Sequence, residues 1–379
     1  MGDLVPIGPA DRGAGLVDPA LYPPRLALAR TPTPLEPLPS LSRALGVELW
    51  VKRDDLTDTP MSGNKLRKLE FLLADARAQG CDAVITTGGV QSNHARATAI
   101  AAVRLGLRPY LLLRGAEATR PRGAGIKHCP DLDPSGDLCS GSDLAPVPQG
   151  NLLLDRLVGA EVRFITRAAY ANRGELMRAW AAELAASRGQ RAYVIPEGGS
   201  DEVGSWGYVS GLDETLAQAR GLGVRFDTIV HAAGSGGTSA GLALGKKLLG
   251  FAGRTLGFAV CDDAAYFTDV AGGIIERAIA RWSLPLDFDR GELSFDDGFV
   301  GAGYAQTRPE EIANLIEVAQ SEGLFLDPVY TNKAFFGMAS TLRRDRKAYG
   351  ERVLFLHTGG LFGLFAQADA LAAGLVDAP

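Results

Sequence analysis

The chain has 379 residues, of which 46% are hydrophobic and 22% charged. That excludes general disorder and allows a large core without disulfides or a structural metal, and at about 100–200 residues per domain it suggests two domains, or one with an insertion. The 44 acidic and 39 basic side chains give a net charge of −5, the wrong sign for a protein built to neutralise nucleic-acid phosphates.

Met1-Gly2 is followed by Pro6 where a myristoylation signal needs Ser or Thr. No basic region leads into an apolar run, so no secretory signal is expected. No apolar run approaches the roughly 18 residues of a membrane span, and a cytoplasmic location is expected. The first 35 residues are proline-rich and end in Thr31-Pro32-Thr33-Pro34-Leu35, an irregular lead-in. Residues 48–52 read as a strand. Residues 64–78 read as a helix, with Leu66, Leu69, Leu72, Leu73 and Ala76 on one side. A strand follows at 83–87. A helix over 93–105 is expected to be capped by Asn93 and stopped before Gly106. The next strand is 109–113.

From 115 to 150 the chain is dense in Gly, Pro, Asp and Ser without periodicity. So long a stretch reads as an insertion: a lid, an interface loop or a partly mobile excursion. It holds Cys129 and Cys139, with His128 beside them; Cys81 and Cys261 lie elsewhere. No second ligand cluster has zinc-like spacing, so reduced thiols and no metal are expected. Strands resume at 161–165, 192–196, 227–232, 256–260 and 353–357. Helices are expected at 238–249 and at 308–322, the latter opened by a capping box from Thr307 to Glu310 with Pro309 in the first turn. Most strands are near-continuous apolar runs that alternate with helices, which predicts mainly parallel sheet covered on both faces.

Three glycine-rich turns follow strands, where open α/β sheets bind ligands. They are Gly88-Gly-Val-Gln-Ser92-Asn93-His94, Gly234-Ser235-Gly236-Gly237-Thr238 and Thr358-Gly359-Gly360. The second has the chemistry of a phosphate cradle: glycines that expose N–H groups, two hydroxyls and a following helix N-terminus. It also reads as a tight turn with no ligand. Ser239 stands where a dinucleotide fingerprint needs Gly, no Gly-Lys-Ser/Thr makes it a Walker loop, and no acid–histidine pair completes a serine triad around Ser235. Lys65 and Lys68 open the 64–78 helix, where cations oppose the helix dipole. A Schiff-base lysine or a paired anion would account for them; so would a solvated basic helix start.

Seven motifs in order carry a resemblance. They are Ser62-Gly-Asn-Lys65-x-Arg-Lys68-Leu-Glu70, Gln91-Ser-Asn-His94-x-Arg96, Pro196-Glu-Gly-Gly-Ser200, Gly234-Ser-Gly-Gly-Thr238, Gly303-Tyr304, Asp327-Pro-Val-Tyr330 and His357-Thr-Gly-Gly360. Over roughly residues 30–368 the chain resembles the pyridoxal-phosphate-dependent D-cysteine desulfhydrase and 1-aminocyclopropane-1-carboxylate (ACC) deaminase family. It looks most like the plant-type desulfhydrases, through Ser205-Trp-Gly-Tyr208 and Val260-Cys-Asp-Asp263. The resemblance implies an α/β protein of the tryptophan-synthase β-like fold (fold type II), with two open, mainly parallel sheets flanked by helices. It implies a large cofactor domain of residues 1–58 and 169–379, a small domain of 59–168, and a homodimer.

The resemblance also implies roles. Lys65 would hold pyridoxal 5′-phosphate and act as the base at the substrate Cα. Asn93 would meet the cofactor phenolate oxygen and Thr358 its ring nitrogen. Gly234, Ser235, Gly236, Gly237 and Thr238 would cradle the phosphate, with Lys68 as an added charge. Ser92 would contact the substrate carboxylate or the reacting carbon, and Tyr304 and Tyr330 would flank the substrate and shuttle protons. His94 and Glu197 are expected to be structural, and Cys261 a buried small hydrophobe. The implied reaction is elimination of sulfide from D-cysteine to give pyruvate and ammonia. The family's deaminases carry Glu after the tyrosine of Asp-Pro-Val-Tyr and Gln after Ser-Asn; here these positions are Thr331 and His94, which favours the desulfhydrase. ACC deaminase and L-cysteate sulfo-lyase are the alternatives. A hydride-transferring dinucleotide enzyme is disfavoured by Ser239. A catalytically silent cofactor binder is disfavoured by the presence of Lys65, Ser92, Tyr304 and Tyr330.

Overall fold

A computed structural model describes residues 22–115, 147–301 and 303–376, apart from the side chains of 370, 373, 374 and 376. The expected insertion lies, except for its two ends, outside the described residues, as do His128, Cys129, Cys139 and most of the proline-rich lead-in. The order is β1 (Leu35–Pro37), α1 (Pro39–Leu45), β2 (Glu48–Arg53), α2 (Lys65–Ala78), β3 (Ala83–Gly89), α3 (Asn93–Arg104), β4 (Arg108–Arg114), α4 (Gly150–Leu157), β5 (Glu161–Ile165), α5 (Arg173–Arg188) and β6 (Ala192–Val194). It continues with α6 (Glu202–Gly221), β7 (Thr228–Ala233), α7 (Gly237–Leu249), β8 (Arg254–Ala259), α8 (Ala264–Trp282), β9 (Phe295–Asp296), α9 (Pro309–Glu322), α10 (Thr331–Arg344), β10 (Arg352–His357), α11 (Leu361–Phe365) and α12 (Ala368–Val376). The chain divides into two compact units, Met1–Asp75 with Gly199–Pro379, and Ala76–Gly198.

The larger unit holds a six-stranded sheet in the order β1-β2-β10-β7-β8-β9, parallel except for the β1–β2 pair. Its central strands are apolar on both faces because both are covered. Val353 and Phe355 of β10 join Val230, Phe258, Phe335 and Met338 in one core, and Leu354 and Leu356 join Ile229, Leu212 and Leu242 in another. The smaller unit holds an all-parallel sheet in the order β5-β4-β3-β6. Alternation splits β4 between two cores: Tyr110 and Leu112 pack with Trp180 of α5, while Leu111 and Leu113 pack with Ala95 of α3 and Leu152 of α4.

Each of the eight expected strands is present, and two short ones, β1 and β9, are added. Both are edge strands of three and two residues, too short to show a period. Two caps fall one residue from their expected places. Ser92, not Asn93, caps α3, its hydroxyl accepting from the Ala95 N–H at 3.1 Å. The box of α9 joins the Arg308 N–H to Glu311 at 2.8 Å rather than Thr307 to Glu310. Residues of α5 and β6, expected in the large domain from residue 169 onward, pack in the smaller unit, because Met177, Trp180 and Leu184 cover β3 and β4. No described helix is long and apolar enough to cross a membrane.

Candidate active site

In the larger unit β10 lies between β2 and β7, and all three run parallel. Their C-terminal ends therefore sit side by side, with His357 opposite Arg53 and Phe355 opposite Val230. Three loops leave from this edge: the one that begins at Asp54, Thr358–Gly360 and Gly234–Gly236. Loops at this edge of an open parallel sheet are where α/β proteins bind small molecules.

The start of α2 is tied into these loops residue by residue. Thr57 Oγ1 accepts from the Gly63 N–H at 2.9 Å and donates to the Gly63 carbonyl at 3.0 Å. The Asn64 N–H donates to the Thr358 carbonyl at 3.1 Å, and Asn64 Nδ2 donates to Thr238 Oγ1 at 3.1 Å. Lys65 follows, half-buried, as the first residue of the helix. Two residues on, Arg67 meets Asp54 through two hydrogen bonds of 2.8 Å and Glu214 through bonds of 3.0 and 2.9 Å. Tyr208 donates to Asp54 at 2.7 Å, and Lys52 pairs with Glu214 at 2.5 Å. This knot of buried, fully paired charges fixes where Lys65 begins; the two cations hold the Glu214 carboxyl down at about 2 against the effect of burial.

The 234–238 turn has the features of an anion cradle. Gly236, at φ +77°, starts α7 and carries no side chain of its own to cap it, so that, apart from the Gly237 N–H taken by Ser200, the first turn has N–H groups to offer an acceptor. Ser200 Oγ accepts from the Gly237 N–H at 3.2 Å and from Lys68 Nζ at 3.4 Å, and donates to Ser235 Oγ at 2.9 Å. A Cβ on Gly237 would lie 2.8 Å from Lys68 Nζ and 2.6 Å from Ser200 Oγ, so only glycine leaves this space. Burial, then repulsion by Lys65, pushes the Lys68 ammonium well below the ordinary lysine range. His231 behind the turn, bonded to Ser239 at 2.8 Å, is pushed down to about 3 by burial and is neutral. A dianion seated here would relieve the cost of holding two ammonium groups together.

Two tyrosines meet beside this turn. Tyr304 and Tyr330 share a hydrogen bond of 2.5 Å between their hydroxyls, and the Tyr330 ring abuts Gly234. Tyr330 is set by Asp327, whose carboxylate accepts from the N–H groups of Val329, Tyr330 and Thr331 at 3.0, 3.0 and 2.8 Å. The Thr331 hydroxyl is used up on the same residue, donating to Asp327 Oδ1 at 2.8 Å and accepting from the Asp327 N–H at 2.7 Å. Thr358 differs: it is 9% exposed and its hydroxyl makes no hydrogen bond among the described residues. His357, kept neutral by burial, holds that turn by accepting from the Gly359 N–H at 3.2 Å and donating to the Phe325 carbonyl at 3.0 Å.

Ser92 and Asn93 belong to the smaller unit, at the turn from β3 into α3. Asn93 Oδ1 accepts from Asn151 Nδ2 at 3.0 Å, and Asn93 Nδ2 has no partner among the described residues. His94 is structural: its Nε2 bonds Thr86 Oγ1 at 2.8 Å, and that hydroxyl donates to the Ile195 carbonyl. Glu197 accepts from the Tyr170 hydroxyl at 2.6 Å and pairs with Arg173. Cys261 Sγ lies 3.8 Å from the Gly234 carbonyl. Reasoning from sequence left Ser200, Asn64 and Asn151 without roles. The first two stood inside quoted motifs; nothing local marked Asn151.

The sequence profile described as "Pyridoxal-phosphate dependent enzyme" matches residues 26–359. The chain belongs to that family. Within it, the chain is similar to the mitochondrial bifunctional D-cysteine desulfhydrase/1-aminocyclopropane-1-carboxylate deaminase of Arabidopsis thaliana, at 39% identity over 91% of this chain and 80% of the relative. It is also 39% identical to a D-cysteine desulfhydrase of Klebsiella pneumoniae, over 90% of this chain and 96% of that one. A solved ACC deaminase homologue superposes with a TM-score of 0.80 at 36% identity, covering 94% of this chain and 98% of that one. This is a pyridoxal-phosphate-dependent lyase of the D-cysteine desulfhydrase/ACC deaminase group, with fold type II architecture. The residues present fit the cofactor. In the larger unit there are an amine at Lys65, a glycine-led helix start with the buried Lys68 amine beside it and a cradle that a Cβ would fill, and an unused hydroxyl at Thr358. The smaller unit, taken by itself, leaves the NH₂ group of Asn93 without a partner among the described residues.

Proposed function

We propose that the enzyme is a D-cysteine desulfhydrase, which converts D-cysteine and water into pyruvate, ammonia and hydrogen sulfide. Pyridoxal phosphate supplies covalent attachment and an electron sink for the carbanion at Cα. Lys65 would hold the cofactor through its Nζ, and the same amine is the base that would take the Cα proton. Gly234, Ser235, Gly236, Gly237 and Thr238 hold the phosphate through N–H groups and hydroxyls, and Lys68 adds a charge. Asn93 donates to the phenolate oxygen. Thr358 would meet the ring nitrogen with a neutral hydroxyl, which supplies no proton of its own to that atom and would suit a reaction whose leaving group departs promptly. Ser92 binds the substrate carboxylate or stands at the reacting carbon. The Tyr304–Tyr330 pair gives the departing sulfur its proton as the Cβ–S bond breaks, a transfer favoured by a bond already 2.5 Å long. A cytoplasmic homodimer is part of the same proposal.

The observation that carries the choice of substrate is Thr331. The resemblance implies Glu there in the deaminases, whereas the hydroxyl of Thr331 is closed on Asp327, so no acid or free donor is offered at that position. A second reading, opening of the ACC ring, rests on relatives named putative 1-aminocyclopropane-1-carboxylate deaminase, of which that from Pyrococcus abyssi is 39% identical. Removal of sulfite from L-cysteate is a third reaction open to the same site. The test is a panel of D-cysteine, L-cysteine, β-chloroalanine, L-cysteate and ACC, read by keto acid and by sulfide. D-Cysteine is expected to give both products at the highest kcat/KM, and Lys65→Ala to abolish every reaction. Faster turnover of ACC or cysteate would discard the assignment. Turnover of Lys65→Ala near the parent rate would discard the mechanism.

A further inference from the structure

Asn151 is 0% exposed and lies at the start of α4, far in sequence from any motif of the site. Each polar atom of its amide has a partner whose role is not negotiable. Oδ1 accepts from Arg96 Nη1 at 2.9 Å, and a guanidinium only donates. Nδ2 donates to the Gln91 carbonyl at 2.9 Å, and a carbonyl only accepts. These two bonds settle which way round the Asn151 amide stands. Its second Nδ2 hydrogen then faces Asn93 at 3.0 Å, so the Asn93 atom there must be Oδ1. The backbone N–H of Asn151 is held too, by Gln91 Oε1 at 2.9 Å. A buried cation thus orients one amide, and that amide orients the next, leaving the NH₂ group of Asn93 turned to the other side.

We propose that Asn151 is a positioning residue that compels Asn93 to present a donor, not an acceptor, to the cofactor. This rests on the reading of Asn93 as the partner of the phenolate oxygen. That oxygen only accepts; met by a flipped Asn93 carbonyl it would be repelled instead of bound. Asn151→Asp keeps the acceptor for Arg96 and removes both side-chain donors. A carboxylate then faces Asn93, which turns over to satisfy it.

The test uses full-length protein and two readouts that do not depend on turnover: equilibrium affinity for pyridoxal phosphate, and the pH titration of the bound cofactor's absorbance. Asn151→Asp is expected to weaken affinity by roughly tenfold or more, the scale of one charge-assisted hydrogen bond, and to shift the titration as Asn93→Ala does. The double variant should be no worse than either single one. Should the aspartate variant not fold, Asn151→Ala is expected to act in the same direction with a smaller loss. An Asn151 variant with parental affinity and titration, beside an impaired Asn93→Ala, would overturn the relay alone. An unaltered Asn93→Ala would overturn the cofactor contact itself, and the relay with it.

Discussion

Asp155, one turn beyond Asn151 on α4, is 0% exposed, and neither carboxyl oxygen has a hydrogen-bond partner among the described residues. Burial pushes its carboxyl up to about 8, against the attraction of Arg96 and Arg156. The native state therefore holds a proton that the unfolded chain releases from about pH 4 upward. With fewer protons bound in the unfolded state, stability falls as pH rises from about 4 to about 8, by at most about 1.4 kcal/mol per pH unit. Asp155→Asn removes this penalty. In urea titrations the variant is expected to exceed the parent in stability by a few kcal/mol at pH 8, with the gap narrowing at pH 5. A constant gap, or none, would refute a neutral Asp155. At this scale the sequence marked candidate reactive groups better than their supports. Lys65, Lys68 and the serine- and glycine-rich turn stand out because their chemistry opposes their position. Ser200, Asn64 and Asn151 do not, because an ordinary Ser or Asn becomes informative only when its neighbours are known.

Among the elements, α6 explains why so many small residues surround the site. Gly207 brings α6 onto the backbone of α2, where an added Cβ would stand 2.6 Å from the Arg67 carbonyl carbon and oxygen and from the Lys68 N. Gly241 does the same for α7, 2.2 Å from the Ser205 carbonyl. Backbone cannot yield as a side-chain tip can. Gly207→Ala is thus expected to destabilise the protein by roughly 1–3 kcal/mol or more by overpacking and to lower cofactor affinity, since α2 carries both lysines. An unchanged melting temperature and affinity would show that the two helices are free to part. Element positions were largely readable beforehand, since buried parallel strands announce themselves as apolar runs. Cap positions were not: Ser92 and Asn93 are both good caps, and only the geometry of the β3–α3 turn chose between them.

For the molecule as a whole, two parallel sheets followed from the alternation of runs, but the path of the chain between them did not. Residues 169–198 resemble the rest of the strand–helix rhythm, and no local signal says that Trp180 of α5 closes on β4 of the smaller unit. Surface and interior charges in this chain will also answer differently to dissolved ions. Pairs such as Arg163–Glu183 and Arg343–Glu317 stand at the surface, with side chains 25–50% and 42–44% exposed, where salt screens exposed charges beyond a Debye length of about 3 Å at 1 M. Asp54, Arg67 and Lys52, which anchor the start of α2, are 1%, 2% and 1% exposed, and dissolved ions screen buried charges much less. Turnover per active site is expected to survive molar potassium chloride even where the melting temperature drifts. An early collapse of kcat would mean that the seat beneath Lys65 is wetter than its packing implies. Tolerance of that kind would come from the interior, not from an acidic coat.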